Sequence, residues 1–489
     1  MGKLRNTCLA FIVAALVVTT SLAAHADTDQ PAKTLNAPAH VDAEAPTHAT
    51  SGNPVLSALE ALPGWFPKVL GMQYNEIYQY MPDFHSPYEG PNSLTTDNNK
   101  GHGSTQIYGL YLGSQVTPKF QIYLDTEMAQ GHGISNGSGL GAYTNGDVIR
   151  QGSADLGSGP YIARLYARYV YPLSGETEKA ERAMDQLPGL EYTSRIEIKA
   201  GRLTATDDFD VNRYANNTRT QFLNWGFINN TAWDFAADTR GYSNGALIAL
   251  VKPQWKLAFG YYQLVTKANG NEFDSYIFRS GGYNLELTVK PNEKGTVLRF
   301  LTYYNRGQMG NYEEAVNLGR LTGTIPNVSA IYNAPLASDE KEGRTKYGFG
   351  INLEQPLADE GETGLFARAG WNDGSNEDFI YTEADQHLSA GIQVSGIHWG
   401  RKEDRVGVAY LVDGISSQHQ DYLAAGGSGF MLGDGRLNYG WEQVFEVYYR
   451  IQLGSYVQIS PDFQFIQNPG YNKDRGPVEV YSMRVRLSF

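Results

Sequence analysis

"VEVYSMRVRLSF", residues 478–489, ends the chain. Tyr481, Met483, Val485, Leu487 and Phe489 share one phase, and Ser482, Arg484, Arg486 and Ser488 share the other. Alternation of this kind is a β-strand with one apolar and one polar face. In a soluble sandwich the apolar face meets a core; in a membrane barrel it meets lipid, and the polar face turns to a wet lumen. Whether the whole chain repeats the pattern decides between the two.

From about residue 70 onward the chain does repeat it. In "QIYLDTEMA" Ile122, Leu124, Thr126 and Met128 oppose Gln121, Tyr123, Asp125 and Glu127. "YIARLYARYVY" sets Leu165, Ala167 and Tyr169 against Arg164 and Arg168, and "SRIEIKAG" sets Ile196, Ile198 and Ala200 against Arg195, Glu197 and Lys199. "WEQVFEVYYRIQL" and "VQISPDFQF" alternate in the same way. The polar phase is heavy in charge and the apolar phase is rimmed by Tyr, Trp and Phe, as at the two interfaces of a membrane barrel.

The connections alternate as well. "TPK" at 117–119, "KPQ" at 252–254, "KPNEKG" at 290–295, "GRKED" at 400–404 and "LGS" at 453–455 are tight, while 131–160, 204–240, 306–344 and 414–438 are long. Short turns on one side and long loops on the other mark an outer-membrane barrel. One short-side connection, 172–191, is an exception, and "EKAERAMDQL" within it reads as a small helix. The fold class is therefore all-β: a sixteen-stranded antiparallel transmembrane β-barrel with short periplasmic turns, its strands running from 70–81 to 478–489. The even count puts both ends of the barrel on the periplasmic side.

Composition agrees. A charged fraction of 19% and a mean hydropathy of −0.40 are too polar for a helical bundle in lipid but suit strands with one wet face. Residues 1–26 read as a signal peptide: Lys3 and Arg5, then "CLAFIVAALVVTTSL", then the cleavage site Ala24-His25-Ala26. Its removal takes the net charge from −13 to −15 and removes Cys8, the only cysteine, so neither disulfides nor thiolate metal sites are expected. Residues 27–65 read as a flexible periplasmic segment with a short helix near its end, where Trp65 and Phe66 could anchor at the interface or touch a plug; the barrel takes 66–489. An acidic chain without a basic stripe excludes nucleic-acid partners.

Catalytic patterns are absent. "GHG" at His102 and His132 falls in expected outer loops and is no metal site. "GGSGF" at 426–430 lacks a nucleophile elbow, and "GDGRLNYG" at 433–440 is not a dinucleotide fingerprint. "NDGSNED" at 372–378 carries oxygen ligands without EF-hand spacing and reads as a solvated polar loop. No enzyme, no metal and no cofactor is expected.

The informative connection is "GRLTATDDFDVNRYANNTRTQFLNWGFINNTAWDFAADTRGYSNGA", residues 201–246. It concentrates Asp207, Asp208, Asp210, Arg213, Arg219 and Arg240 with Tyr214, Phe222, Trp225, Phe227 and Trp233. So aromatic a loop either caps the barrel mouth or folds into the lumen and narrows it. Sugars offer hydroxyls at the ring edge and C–H patches on the faces, which charged groups and aromatic rings respectively engage. Arg164, Arg168, Arg195 and Arg484 on the inward phase complete a candidate constriction with Asp207, Asp208, Asp210, Arg213, Arg219, Trp225 and Trp233.

"NNTRTQFLNWGFINNTAWDFAADTRGY" (216–242) and "FIQNPGYNKDRGPVEVYSMRVRLSF" (465–489) resemble the two signatures of carbohydrate-selective, OprB-type outer-membrane porins. The resemblance runs over roughly 66–489 and implies inward-folded loops and passive diffusion of mono- and oligosaccharides and polyols. Arg219, Gln221, Asn224, Trp225, Asn229, Trp233, Asp234 and Arg240 match the first signature; Asn468, Pro469, Gly470, Tyr471, Arg475, Gly476 and Pro477 match the second. Whether these touch substrate or lock the loop stays open at this stage. The implied partners are small sugars or polyols, outer-membrane lipids, and the barrel-assembly machinery through the strand ending at Phe489, with monomer and homotrimer both open. Two rivals remain: a channel for quinate-like hydroxy acids, served by inward arginines, and a non-transporting barrel acting as a surface adhesin.

Overall fold

The structure, a computed structural model, describes residue 63 and residues 65–97, 100–147, 156–332, 343–379 and 382–489. The expected signal peptide and most of the expected periplasmic segment with its short helix lie outside the described residues. Trp65 and Phe66 are exposed below the first strand.

Sixteen strands close into one barrel, each hydrogen-bonded antiparallel to its neighbours in chain order. They are β1 (Lys68–Tyr80), β2 (His102–Thr117), β3 (Phe120–His132), β4 (Tyr161–Pro172), β5 (Arg195–Leu203), β6 (Ser243–Lys252), β7 (Trp255–Tyr262) and β8 (Gly281–Val289). The second half comprises β9 (Val297–Gly307), β10 (Arg344–Ala358), β11 (Thr363–Asn372), β12 (Gln386–Ser395), β13 (Arg405–Gly414), β14 (Glu442–Leu453), β15 (Val457–Gln467) and β16 (Val478–Ser488). His102 and His132 belong to strand ends rather than to loops, and His102 stacks on Tyr80 at 4.8 Å.

The closing stretch does what its alternation implies. β16 pairs with β1 from Gln73↔Ser488 to Tyr80↔Tyr481. Phe489 extends the seam: its N–H donates to the Met72 carbonyl at 2.9 Å, and its own carbonyl accepts from the Met72 N–H at 3.2 Å. Arg484 and Arg486 point inward and are buried, whereas Tyr481 and Met483 are 46% and 42% exposed on the outside. The barrel is thus apolar outside and polar inside, the reverse of a soluble domain. Among the described residues no helix is long and apolar enough to cross a membrane; the crossing is made by strands.

The short-side connection after β4 forms a two-stranded hairpin, Thr177–Ala180 with Gly189–Tyr192, in place of the expected helix. Ten residues are marginal for an isolated helix. Here burial decides otherwise: Met184 and Leu187 are buried against Leu70 and Tyr123 at the barrel floor.

Inside the barrel the long loops build a core of their own. One cluster joins Phe222 and Phe227 to Phe366 and Tyr448, and another joins Phe209 and Trp233 to Tyr262, Leu301 and Tyr303. Two helices from outer loops, α1 (Tyr312–Thr322) and α2 (Ser417–Ala424), sit above them. Asn311 caps α1 by accepting the Glu314 N–H, and Ser416 caps α2 by accepting the His419 N–H.

Candidate functional site

The connection between β5 and β6 folds into the lumen, and β11 is shaped to receive it. The inward row of β11 is Gly364, Phe366, Arg368, Gly370 and Asn372. A Cβ on Gly364 would collide with Tyr214, and one on Gly370 with Asn230, so the two glycines make room for the loop. Arg368, fully buried between them, donates to the carbonyls of Phe227 (2.9 Å), Asp210 (3.0 Å) and Ala215 (2.7 Å) and pairs with the Asp210 carboxylate at 3.1 Å. Arg484 on β16 donates to the Thr218 and Gln221 carbonyls. Glu446 on β14 accepts the Leu223 and Asn224 N–H groups.

Of the charges that marked this loop in the sequence, Asp207, Asp208, Arg213 and Arg219 each meet a counter-charge, while Arg240 lies over the Tyr161 ring at 4.3 Å. Asp207 takes a bidentate pair of bonds from Arg164 at 2.7 Å, and Asp208 pairs with Lys199 at 2.7 Å. Arg213 reaches Glu362 at 2.7 Å, and Arg219 spans Glu127 at 2.8 Å and Asp147 at 3.0 Å. Arg168 pairs with Glu191 and Glu197, and Arg195 with Glu197 at 3.0 Å.

The aromatic residues take a different part. Trp233 is wholly buried, its Nε1–H donating to Asn284 at 2.9 Å and its ring edge-on to Phe209. Trp225 is half-buried and donates to the Asn145 carbonyl at 3.2 Å. The other signature residues likewise form internal bonds. Gln221 accepts the Asn216 N–H and donates to the Arg213 carbonyl, and Asn224 caps the turn at Gly226. Asp234 accepts the Phe379 N–H, and Arg475 pairs with Asp434.

Below the loop, between it and the periplasmic ends of β5 to β10, lies an open vestibule of about 480 Å³. The loop lines it with Asp207, Asp208, Val211, Asn212, Arg213, Asn216, Asn217, Thr220 and Gln221, and with none of its aromatics. Seven cations (Arg195, Arg213, Lys252, Lys256, Lys290, Arg299, Arg450) share the lining with seven acids (Glu178, Glu197, Asp207, Asp208, Glu286, Glu354, Glu362). Of the eleven sequence candidates, Arg195, Asp207, Asp208 and Arg213 border this space, while Asp210, Trp233 and Arg484 hold the loop in place. Sequence reasoning missed the vestibule's strand-foot residues, such as Lys256, Glu286 and Glu354. Their only signal was an inward phase shared with every other polar residue on these strands.

Burial pushes the Asp207 carboxyl up to about 6 against the pull of the Arg164 guanidinium, with Asp185 and Asp208 adding to the rise. Below that value it takes up a proton and the vestibule loses a negative charge. Reversal potentials in a salt gradient should therefore move toward anion preference between about pH 7 and about pH 5. Asp207→Asn should start from the anion-leaning value and stay flat across the window; an unchanged titration in that variant would remove Asp207 from the conducting path.

A sequence model described as "Carbohydrate-selective porin, OprB family" matches residues 116–489. No curated protein matches the chain in sequence. Among solved structures, the high-pH structure of OprB from Pseudomonas putida superposes with a TM-score of 0.60 at 14% identity, over 86% of this chain and 94% of that one. The outer-membrane channel DcaP of Acinetobacter baumannii is a weaker likeness, with a TM-score of 0.45 at 10% identity over 86% and 97% of the two chains.

Proposed function

This chain belongs to the carbohydrate-selective porin family, OprB, and from that membership we propose that it passes mono- and oligosaccharides and similar polyols through the outer membrane by passive diffusion. The observation that carries the reading is the balanced vestibule. Seven cations against seven acids give strong local fields without a net sign. Such a lining favours neutral, polyhydroxylated solutes, which can bond to both kinds of group, over apolar solutes or net anions.

The same balance weighs against hydroxy acids as the main cargo. The inward arginines that would attract a carboxylate are engaged: Arg164 with Asp207, Arg168 with Glu197, Arg299 with Glu354, Arg368 with Asp210, and Arg484 with loop carbonyls. An adhesin would need the long loops to reach outward, whereas the loop after β5 folds inward and is mostly buried. No covalent step and no cofactor enters this reading. Assembly in the membrane would engage the machinery through the strand ending at Phe489.

The test is single-channel recording in planar bilayers with glucose, a disaccharide and quinate titrated separately. Sugar should block the current with an affinity in the millimolar range, about −4 kcal/mol, because a channel must release what it binds. Quinate should block less well at equal concentration. Stronger block by quinate, or none by either sugar, would overturn the sugar assignment.

A further inference from the structure

The stretch 372–378, expected to be a solvated polar loop, is not solvated. Asn372, Glu377 and Asp378 are buried, and Asp378 is wholly so. It sits under the outer mouth, with Asp385 from the same connection, His419 from α2, and Lys346 from β10, all of them inaccessible to solvent. With Asp234, Glu377 and Glu383, also buried, the carboxylates around the Lys346 ammonium number five. Buried charge in such excess is relieved either by protonation or by a bound cation.

The geometry divides the two aspartates into two sides. Lys346 Nζ holds their Oδ1 atoms, at 2.8 Å from Asp378 and 3.6 Å from Asp385, and also donates to the Asn376 carbonyl at 3.0 Å. Their Oδ2 atoms turn the other way and converge on His419 Nδ1, at 3.8 Å from Asp378 and 3.4 Å from Asp385. Asp378 Oδ2 is buried with no hydrogen-bond partner. Asp385 Oδ2 is steadied by the Ser416 N–H at 2.8 Å, and the His419 ring lies flat on Tyr312 at 4.2 Å. A metal bonded at zinc's usual lengths to nitrogen and carboxylate oxygen needs its donors about 3.3 Å apart. Both oxygens stand within half an ångström of that spacing from His419 Nδ1, one donor atom from each of the three residues lies within 4.8 Å of the others, and Lys346 bonds to the opposite oxygens.

We propose that Asp378 Oδ2, Asp385 Oδ2 and His419 Nδ1 form a site for a divalent transition-metal ion that staples the β11–β12 connection to α2 over the outer mouth. One imidazole and two carboxylates suit zinc or manganese and do not favour a soft, thiolate-seeking metal. The ion would join two chain segments 34 residues apart, so binding would stabilise the folded cap rather than take part in transport.

The full mature protein, folded in detergent with zinc or with chelator, tests this. After dialysis the zinc-folded protein should retain one zinc per chain by elemental analysis and should need a higher temperature to lose its folded migration on SDS gels. Asp378→Asn and His419→Gln should each lose both the zinc and the added heat resistance, while Glu313→Gln on the exposed side of α1 should keep them. Wild-type protein without retained zinc, or variants that retain as much as wild type, would reduce the cluster to an Asp–His–Lys ion network and overturn the proposal. Should the variants fail to fold, cobalt in the wild-type protein decides: a ligand-field absorption band of mixed nitrogen and oxygen ligation supports the site, and its absence refutes it. Neither readout depends on which solute the channel carries.

Discussion

Arg368→Ala should cost about 3–5 kcal/mol of stability and raise single-channel conductance. The side chain is fully buried and links β11 to four points of the inward loop: the Asp210 carboxylate and the carbonyls of Asp210, Ala215 and Phe227. Removing it leaves the buried Asp210 carboxylate without its counter-charge, held by the Asn352 amide and the Asn230 N–H, and takes the Arg368 donors from the Phe227 and Ala215 carbonyls, which is why the cost exceeds that of an ordinary hydrogen bond. The glycines on either side, Gly364 and Gly370, offer the loop no side chain, and β11 otherwise holds it through Phe366 against Phe222 and the Asn372 bond to the Ala232 carbonyl. Loosened there, the segment from Asp207 to Gln221 would swing away from the vestibule it lines. Arg368→Lys keeps the charge but not the planar fork and should recover part of the stability. The checks are the temperature of the gel-mobility transition and conductance in planar bilayers. Reduced stability with conductance unchanged would mean that Arg484 and Glu446 pin the loop without help.

Ile351→Arg should cost about 2–4 kcal/mol, because a charge at mid-strand on the lipid face finds no water. Ile351 stands at the centre of the longest of the second-half strands, β10, and is 45% exposed on the outside between Phe300 and Ala369. Its neighbour Asn352, one residue on, turns inward and donates to the Asp210 carbonyl at 3.0 Å. Asn352→Asp therefore acts on the loop and not on lipid, and should alter conductance while leaving membrane insertion intact. The paired measurement is folding into lipid vesicles across a denaturant series together with bilayer conductance. Equal loss of insertion in both variants would reverse the assignment of inside and outside.

The sequence by itself determined the barrel. Period-two alternation is a local property of each strand, and the alternation in "VEVYSMRVRLSF" carries its meaning without reference to any partner. All sixteen strands form near their expected places because a lipid face and a wet face impose opposite chemistry on successive residues. The alternation of short and long connections likewise needed only a ruler along the chain.

The tertiary structure alone decided what the polar residues do. Asp207 and Arg164 are 43 residues apart and Asp210 and Arg368 are 158 apart, so nothing local marks one acid as pore lining and another as an anchor. The aromatics of the loop pointed in sequence to stacking on sugar, yet Trp233 and Phe227 are wholly buried in packing. Once a loop is driven into a lumen it must bury apolar surface of its own, and the largest rings go first. The hairpin at the floor follows the same rule, since Met184 and Leu187 gained more from burial under the barrel than a short helix could supply. The vestibule is assembled from strand feet as distant as Lys256 and Arg450. Closure of the sheet brings them to one space, and that closure is a property of the whole chain rather than of any stretch within it.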